Sequence, residues 1–331
     1  DDQFTPIASP TTRAVETQKV LAKLTWQAHP SWRVVAKYSE DPFSTDNFNA
    51  SRWVMPEAAS QTGGGTEVPS VELNAVLSES LLWNATGGNY VFETFVYPQS
   101  GDLQTIGHYN YDTGLNTHNY GNQQYWESTR GDFTTDLTWF LDDLAGTHEL
   151  KGGIEYSDLG FSVAFCDTGT PNGERCVENG VGFYFNDIQL EGEALPWLMW
   201  EDRSSGPTEY AGAVSTAFVQ DAGRVAPNVT LKVGLRYDGV TYDTNTGTEI
   251  ADMGMLQPRV GIAWDITGNA KNVVRASWGR FLHPVALTLP WHVRETDEPW
   301  FKWYSCSGAL PLGLDIPVGS PTECEAVAAD L

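Results

Sequence analysis

Residues 230–238 read Thr230-Leu231-Lys232-Val233-Gly234-Leu235-Arg236-Tyr237-Asp238. Leu231, Val233, Leu235 and Tyr237 share one parity; Lys232, Gly234, Arg236 and Asp238 share the other. Successive side chains of a β-strand point to opposite faces, so this stretch predicts a strand with one apolar and one polar side. The pattern returns in Val260, Ile262 and Trp264 against Arg259, Gly261, Ala263 and Asp265. It returns upstream in Leu150, Ile154 and Tyr156 against Glu149, Lys151 and Glu155, and in Trp32, Val34, Ala36 and Tyr38 against Arg33, Val35 and Lys37. Helical periodicity is almost absent, and the fold class expected is all-β.

Working outward, ten strands are expected: Glu16–Gln27, Trp32–Glu40, Val71–Trp83, Tyr90–Pro98, Phe133–Leu141, Thr147–Leu159, Tyr210–Arg224, Val229–Asp243, Leu256–Ile266 and Val273–Leu282. Alternation alone fits a soluble sandwich with its apolar face inward. The connections favour a membrane barrel. Short turns are expected at Ala28–Ser31, Asn84–Asn89, Asp142–Gly146, Val225–Asn228 and Thr267–Asn272. Long polar stretches at Asp41–Pro69, Ser100–Arg130, Gly160–Pro207 and Thr244–Gly254 take turns with them. Short turns at one end and long loops at the other are the habit of antiparallel outer-membrane barrels. Trp26, Trp32, Trp83, Tyr90, Trp139 and Trp264 flank the short turns, as an interfacial girdle of amphipathic rings would. Residues 181–200 read as a hairpin within one long loop, although two spanning strands would keep the same parity.

The bulk numbers remove several function classes. Among 331 residues, 43 are acidic and 19 basic, a net charge of -24. That argues against nucleic acid and against docking on an anionic leaflet through basic residues. Disorder is excluded by 13 tryptophans and 12% aromatics. No stretch approaches the ~18 apolar residues of a membrane helix, and no leader is visible. Both ends read as those of a piece. Four cysteines fall into local pairs, Cys166 with Cys176 and Cys306 with Cys324, which suits disulfides in an oxidising compartment. Three connectivities are open, and zinc is the rival reading.

No enzyme signature emerges: there is no Gly-x-Ser-x-Gly elbow and no His-Glu-x-x-His. His29, His108, His118, His148, His283 and His292 are scattered. Residues 243–249 space oxygen ligands as a calcium loop does but lack the rest of that pattern, so a polar turn is expected. No cofactor or metal is called for.

Four segments in order resemble TonB-dependent receptors, in particular the Oar-like group with a carboxypeptidase-regulatory-like domain at its N-terminus. They are His148–Gly153, Ala217–Asp221 with Asn228–Asp238, Pro258–Asp265, and Val273–Phe281. That family often places an aromatic soon after the Gln-Asp pair, where this chain has Ala222-Gly223-Arg224. The resemblance implies an antiparallel up-and-down transmembrane β-barrel of about 22 strands, filled by a plug. Residues 1–331 are then expected to be part of one barrel domain, about ten to twelve strands, without plug or signal peptide. The localisation implied is the outer membrane of a Gram-negative-type bacterium. The partners implied are the plug domain of the same protein, the TonB complex of the inner membrane, outer-membrane lipid, and a small solute or peptide.

In such a wall, Lys23, Arg33, Lys37, Lys151, Glu155, Lys232, Arg236, Arg259 and Arg275 take the polar parity. A Lys or Arg facing lipid at mid-membrane costs ~2–4 kcal/mol, so these are expected to face the lumen, against plug or solute. Tyr109, Tyr111, Tyr120, Tyr125 and Trp126 are candidate ligand contacts in the outer loops. The function expected is TonB-dependent uptake of a scarce solute such as an iron chelate, cobalamin, an oligosaccharide or a peptide. A passive or structural barrel and a secreted carbohydrate-binding sandwich are the alternatives.

Overall fold

The computed structural model describes residues 12–142, 146–170, 173, 175, 180–190, 193–204, 206–282 and 301–306. In chain order the strands begin with β1 (Ala14–Thr17), β2 (Val20–His29), β3 (Trp32–Glu40), β4 (Phe43–Asp46), β5 (Ser60–Ser78) and β6 (Leu81–Pro98). They continue with β7 (Gly107–Asn110), β8 (Asn116–Thr117), β9 (Asn122–Leu141), β10 (Thr147–Asp167), β11 (Gly180–Leu190) and β12 (Glu193–Ser204). The last are β13 (Thr208–Ala226), β14 (Val229–Asp243), β15 (Glu249–Asp265), β16 (Val273–Gly279) and β17 (Phe301–Ser305). The single helical turn among the described residues is Pro56–Ala58.

Ten strands lie side by side in the order β2-β3-β5-β6-β9-β10-β13-β14-β15-β16, each antiparallel to its neighbours. The short β1 and β4 complete a 12-stranded sheet. Among the described residues the sheet is an open run of wall, with β1, β2 and β16 at its edges. Strands β17, β12, β11, β7 and β8 form a second, five-stranded sheet. β10 pairs directly with β13, so residues 168–207 are an excursion between neighbouring wall strands. The expected hairpin at 181–200 is the β11–β12 pair, in the second sheet.

The register segregates the faces. Trp32, Ala75, Trp83 and Leu137 form one cross-strand row on four adjacent strands. Farther along the same face Ile154, Val219, Val233, Leu235, Leu256, Val260 and Trp278 are exposed, several by half or more. Burying a large apolar side chain contributes ~1.5–3 kcal/mol. A dozen left in water would forgo roughly 20–35 kcal/mol, more than the ~5–15 kcal/mol by which a domain is stable. A soluble sandwich would turn this face inward; here it faces out, as lipid contact requires.

Several expected boundaries move. No turn forms at Asn84–Asn89: β6 runs unbroken through it, and the turn falls at Glu79-Ser80, where the Ser80 amide donates to Ser78 Oγ. Turn-rich composition misled here because polar residues on the polar face need no turn; Asn84 Nδ2 donates to Asp136 Oδ1 at 3.2 Å. Glu16–Gln27 divides into β1 and β2. The strands also run far into stretches read as loops, since β9 starts at Asn122 and β10 continues to Asp167. At 21 residues, β10 is about twice the ~9–11 needed to cross a bilayer. Residues 244–248 form a tight polar turn, with Thr244 Oγ1 accepting from the Thr246 and Thr248 amides and Gly247 at φ 79°. Much of the stretch after Pro284 lies outside the described residues.

Candidate functional site

The nine charged residues expected on the polar side all fall on one face of the sheet. Lys37 Nζ reaches Glu72 Oε2 at 3.4 Å, and Lys151 Nζ reaches Asp136 Oδ1 at 3.2 Å. Lys23 pairs across the β2–β3 ladder with Lys37, and Arg33 lies one pleat along from Val35 on the same face. Lys232, Arg236, Arg259 and Arg275 occupy this face of β14, β15 and β16.

Their centre is Arg236. Its Nη1 and Nη2 donate to the two carboxylate oxygens of Glu155 at 3.1 and 2.8 Å, a bidentate pair across β13. Nε donates to Asp238 Oδ1 at 2.8 Å, and Nη2 also reaches Thr216 Oγ1 at 3.0 Å. The Thr216 hydroxyl donates a hydrogen bond to Asp238 Oδ1 at 2.6 Å, and Gln257 Nε2 donates to Asp238 Oδ2. Thr216, Asp238 and Gln257 are buried. A second set lies beside it: Arg130 Nε donates to Asp132 Oδ1 at 2.7 Å, and Ser157 Oγ donates to the same oxygen at 2.6 Å. The first set, with Arg130 and Ser157 of the second, lines one cavity of about 580 Å³, walled on its other sides by Tyr90, Phe161, Tyr242 and Phe281. The arrangement is a rigid, charge-compensated polar floor under an apolar wall. Among the described residues no group of three His, Cys, Asp or Glu side chains is placed to hold a metal.

Sequence reading found Glu155 and Arg236 but missed Arg130 and Asp132, which lay in or beside a stretch read as loop. Tyr90 is a correction. It was expected in the girdle, but it pairs with Arg130 in the β6–β9 ladder and lines the cavity. The misplaced turn caused the error, since Tyr90 is nine residues beyond the true start of β6 at Leu81. Trp26, Trp32, Trp83, Trp139 and Trp264 do share the apolar face close to the short turns. Trp83 Nε1 donates to Thr135 Oγ1 at 2.8 Å, which satisfies its one polar group. Near the short-turn end a polar pair departs from the segregation: His148 Nδ1 and Asp221 Oδ2 lie 2.7 Å apart on the apolar side.

The outer-loop candidates separate. Tyr109 packs edge-on against Tyr111, and Tyr111 against Trp197, in the second sheet. Burial pushes the Tyr120 hydroxyl up to about 12. Tyr125 packs on Ala164 and Cys166, and Trp126 packs on Phe165. Cys166 and Cys306 are both disulfide-bonded and buried; Cys176 and Cys324 lie outside the described residues, as do His283 and His292.

In the same region His118 stacks on His108 at 4.0 Å, while His108 Nδ1 contacts the buried Asp187 at 2.9 Å. Burial, then the neighbouring His108, holds His118 below its ordinary value of 6.5; Asp187 and Glu57 oppose this in part. A depressed histidine binds its proton more readily unfolded than folded, so its stabilisation is complete above the ordinary value of ~6.5 and is lost as pH falls from there through the lower folded value. Proteolysis within residues 111–121 is therefore expected to quicken between about pH 7.5 and 5.5, and His118→Gln should flatten the profile. A flat profile in the unaltered chain would refute this linkage.

Known proteins share this architecture. The family model described as TonB dependent receptor-like, beta-barrel matches residues 31–290. The TonB-dependent transporter Oar of Myxococcus xanthus is 26% identical over 168 residues, 46% of this chain and 15% of that protein. The outer membrane transporter YddB of Escherichia coli superposes with a TM-score of 0.61 at 17% identity, over 81% of this chain and 32% of that one. P. aeruginosa FpvA, solved in a complex with iron and a pyoverdine, gives 0.53 at 11% identity, over 80% and 35%. The chain thus spans about a third or less of the length of these relatives. With more than half of its residues inside the family model, the chain belongs to the TonB-dependent receptor family of Gram-negative outer-membrane proteins and forms part of that family's β-barrel.

Proposed function

We propose that the chain is wall and outer loops of an importer that takes up a scarce solute at the expense of inner-membrane energy delivered by TonB. The polar face is the lumen side. Its charged residues, Arg236 and Glu155 foremost, meet a plug domain of the same full-length protein or the passing solute. The observation that carries this reading is the segregation of charge and apolar surface onto opposite faces of the ten strands between the short turns and the level of Tyr156 and Tyr237, His148 and Asp221 apart, with the cavity on the charged face. The candidate solutes are an iron chelate, cobalamin, an oligosaccharide or a peptide, each of which presents groups that polar and aromatic walls can contact. Oar is a TonB-dependent transporter, and FpvA was solved with an iron complex; both names are consistent with import.

The test is genetic and concerns the full-length protein. Cells lacking the gene are grown with each of those solutes limiting in turn, beside cells lacking TonB. Energy-coupled import predicts that one solute fails to support growth in both strains, with no further loss in the double deletion. A solute that fails only without the barrel gene would indicate a passive barrel instead. No growth defect on any of them would overturn import.

A further inference from the structure

We propose that Lys232, Arg259 and Arg275 form a carboxylate-binding trough for an anionic solute on the polar face, a proposal that rests on that face being the lumen. The other basic residues in the middle of this face are already compensated: Lys151 by Asp136, Arg130 by Asp132, and Arg236 by Glu155 and Asp238. Lys232 and Arg275 have no carboxylate within ion-pair distance among the described residues. Arg259 has only a 3.4 Å contact to Gln257 Oε1 and the Phe281 ring, 4.8 Å from its Cζ.

The sheet register explains why they stand free. Arg259 is paired with Gly234 on one side and Gly279 on the other. Lys232 is paired with Ala222 and Gly261, and Arg275 with Ala263. Wherever a carboxylate would meet these cations directly across the ladder, the sequence supplies glycine or alanine. The result is a floor of bare backbone and methyl groups with cations along it, open as cavities of about 620 and 270 Å³. Glu149 lines the larger cavity, whereas the Asp221 carboxylate lies on the opposite face with His148.

Spacing sets the class of ligand. Lys232 and Arg259 are diagonal neighbours on adjacent strands, with Cβ atoms ~7–8 Å apart. Arg275 lies two residues farther down the next ladder, ~12–14 Å from the other two at strand spacings of ~4.8 Å and rises of ~3.3 Å. Long flexible side chains close those gaps onto a molecule bearing two or three carboxylates, and the guanidinium groups favour bidentate contact with them. In a chain of net charge -24, a local excess of cations on a glycine floor is a distinct attraction for an anion.

The test uses citrate as the probe and the purified full-length transporter in detergent, followed by calorimetry. Expected are binding that weakens with salt, a drop of at least about tenfold in Arg259→Ala, and loss in the triple alanine variant, with Lys232→Arg retaining it. Carboxylates supplied by the plug would give a different result. Then the unaltered protein ignores citrate and the triple variant conducts ions in planar bilayers because its plug is loosened, an outcome that overturns the solute trough and assigns these cations to the plug. Unchanged citrate binding in the triple variant, or no binding and no change in conductance, overturns the proposal. Labelling of Lys232→Cys by a membrane-impermeant thiol reagent reports separately whether this face is the lumen, so the two readings can fail independently.

Discussion

Leu235→Arg is expected to abolish stable insertion of this sheet into a membrane, while Gln220→Arg, on the neighbouring strand, is expected to leave it intact. Leu235 sits six residues above the start of β14, with Val219 and Pro258 beside it in the adjoining ladders. It is 42% exposed, on the face that carries Val233, Val260 and Ile262. An arginine on the lipid side near the bilayer midplane costs ~2–4 kcal/mol, about 30- to 1,000-fold in the folding equilibrium. Gln220 has the opposite parity, opposite Lys151 and Gly234, where a cation meets carboxylates and water. Urea titration of the full-length protein folded into phospholipid vesicles, with heat-modifiable migration on gels, measures both. The pair also discriminates fold classes, because an exposed arginine on a water-facing sheet would cost almost nothing. Equal stability for Leu235→Arg and the parent would show that the apolar face does not meet lipid.

The parts of this fold that were legible in the sequence are those where the two faces differ in solvent. Between the tryptophans near the short turns and the level of Tyr156 and Tyr237, one side meets lipid and the other a polar space, so alternation is strong. Beyond that level the strands continue, but Glu93, Glu127 and Glu209 stand on the outward parity. Both faces are polar there, the contrast of period two vanishes, and continuous strand looks like loop. The Asn84–Asn89 error has a related cause: Gly87 and Gly88 pair within β5–β6 and do not bend it. At the site, parity alone placed all nine charged residues on one face, because it needs only counting along one strand. Partnership needs register. Glu155 and Arg236 are 81 residues apart, and Thr216 reaches Arg236 only because β13 lies between their strands. Nothing local in the sequence records those contacts.

The network around Arg236 should therefore show coupling in proportion to its contacts, without being required for insertion. Removing Arg236 as Arg236→Leu leaves Glu155 and Asp238 facing each other with no cation between them. Breaking a fully buried ion pair costs ~3–5 kcal/mol, but these side chains are 24% (Arg236), 34% (Glu155) and 11% (Asp238) exposed, so water screens part of the loss. About 1–3 kcal/mol of destabilisation is expected. Glu155→Gln alone should cost less, since Arg236 keeps Asp238 and Thr216. In the double variant the losses should overlap, giving a coupling energy of ~1–2 kcal/mol by urea titration in vesicles. Additive losses would mean that the bidentate pair contributes nothing net. Failure of Arg236→Leu to insert at all would be graver, since a leucine on a water-filled face has no reason to prevent insertion. It would mean that this face is packed, and that its arginine is a structural keystone with no solute or plug to meet.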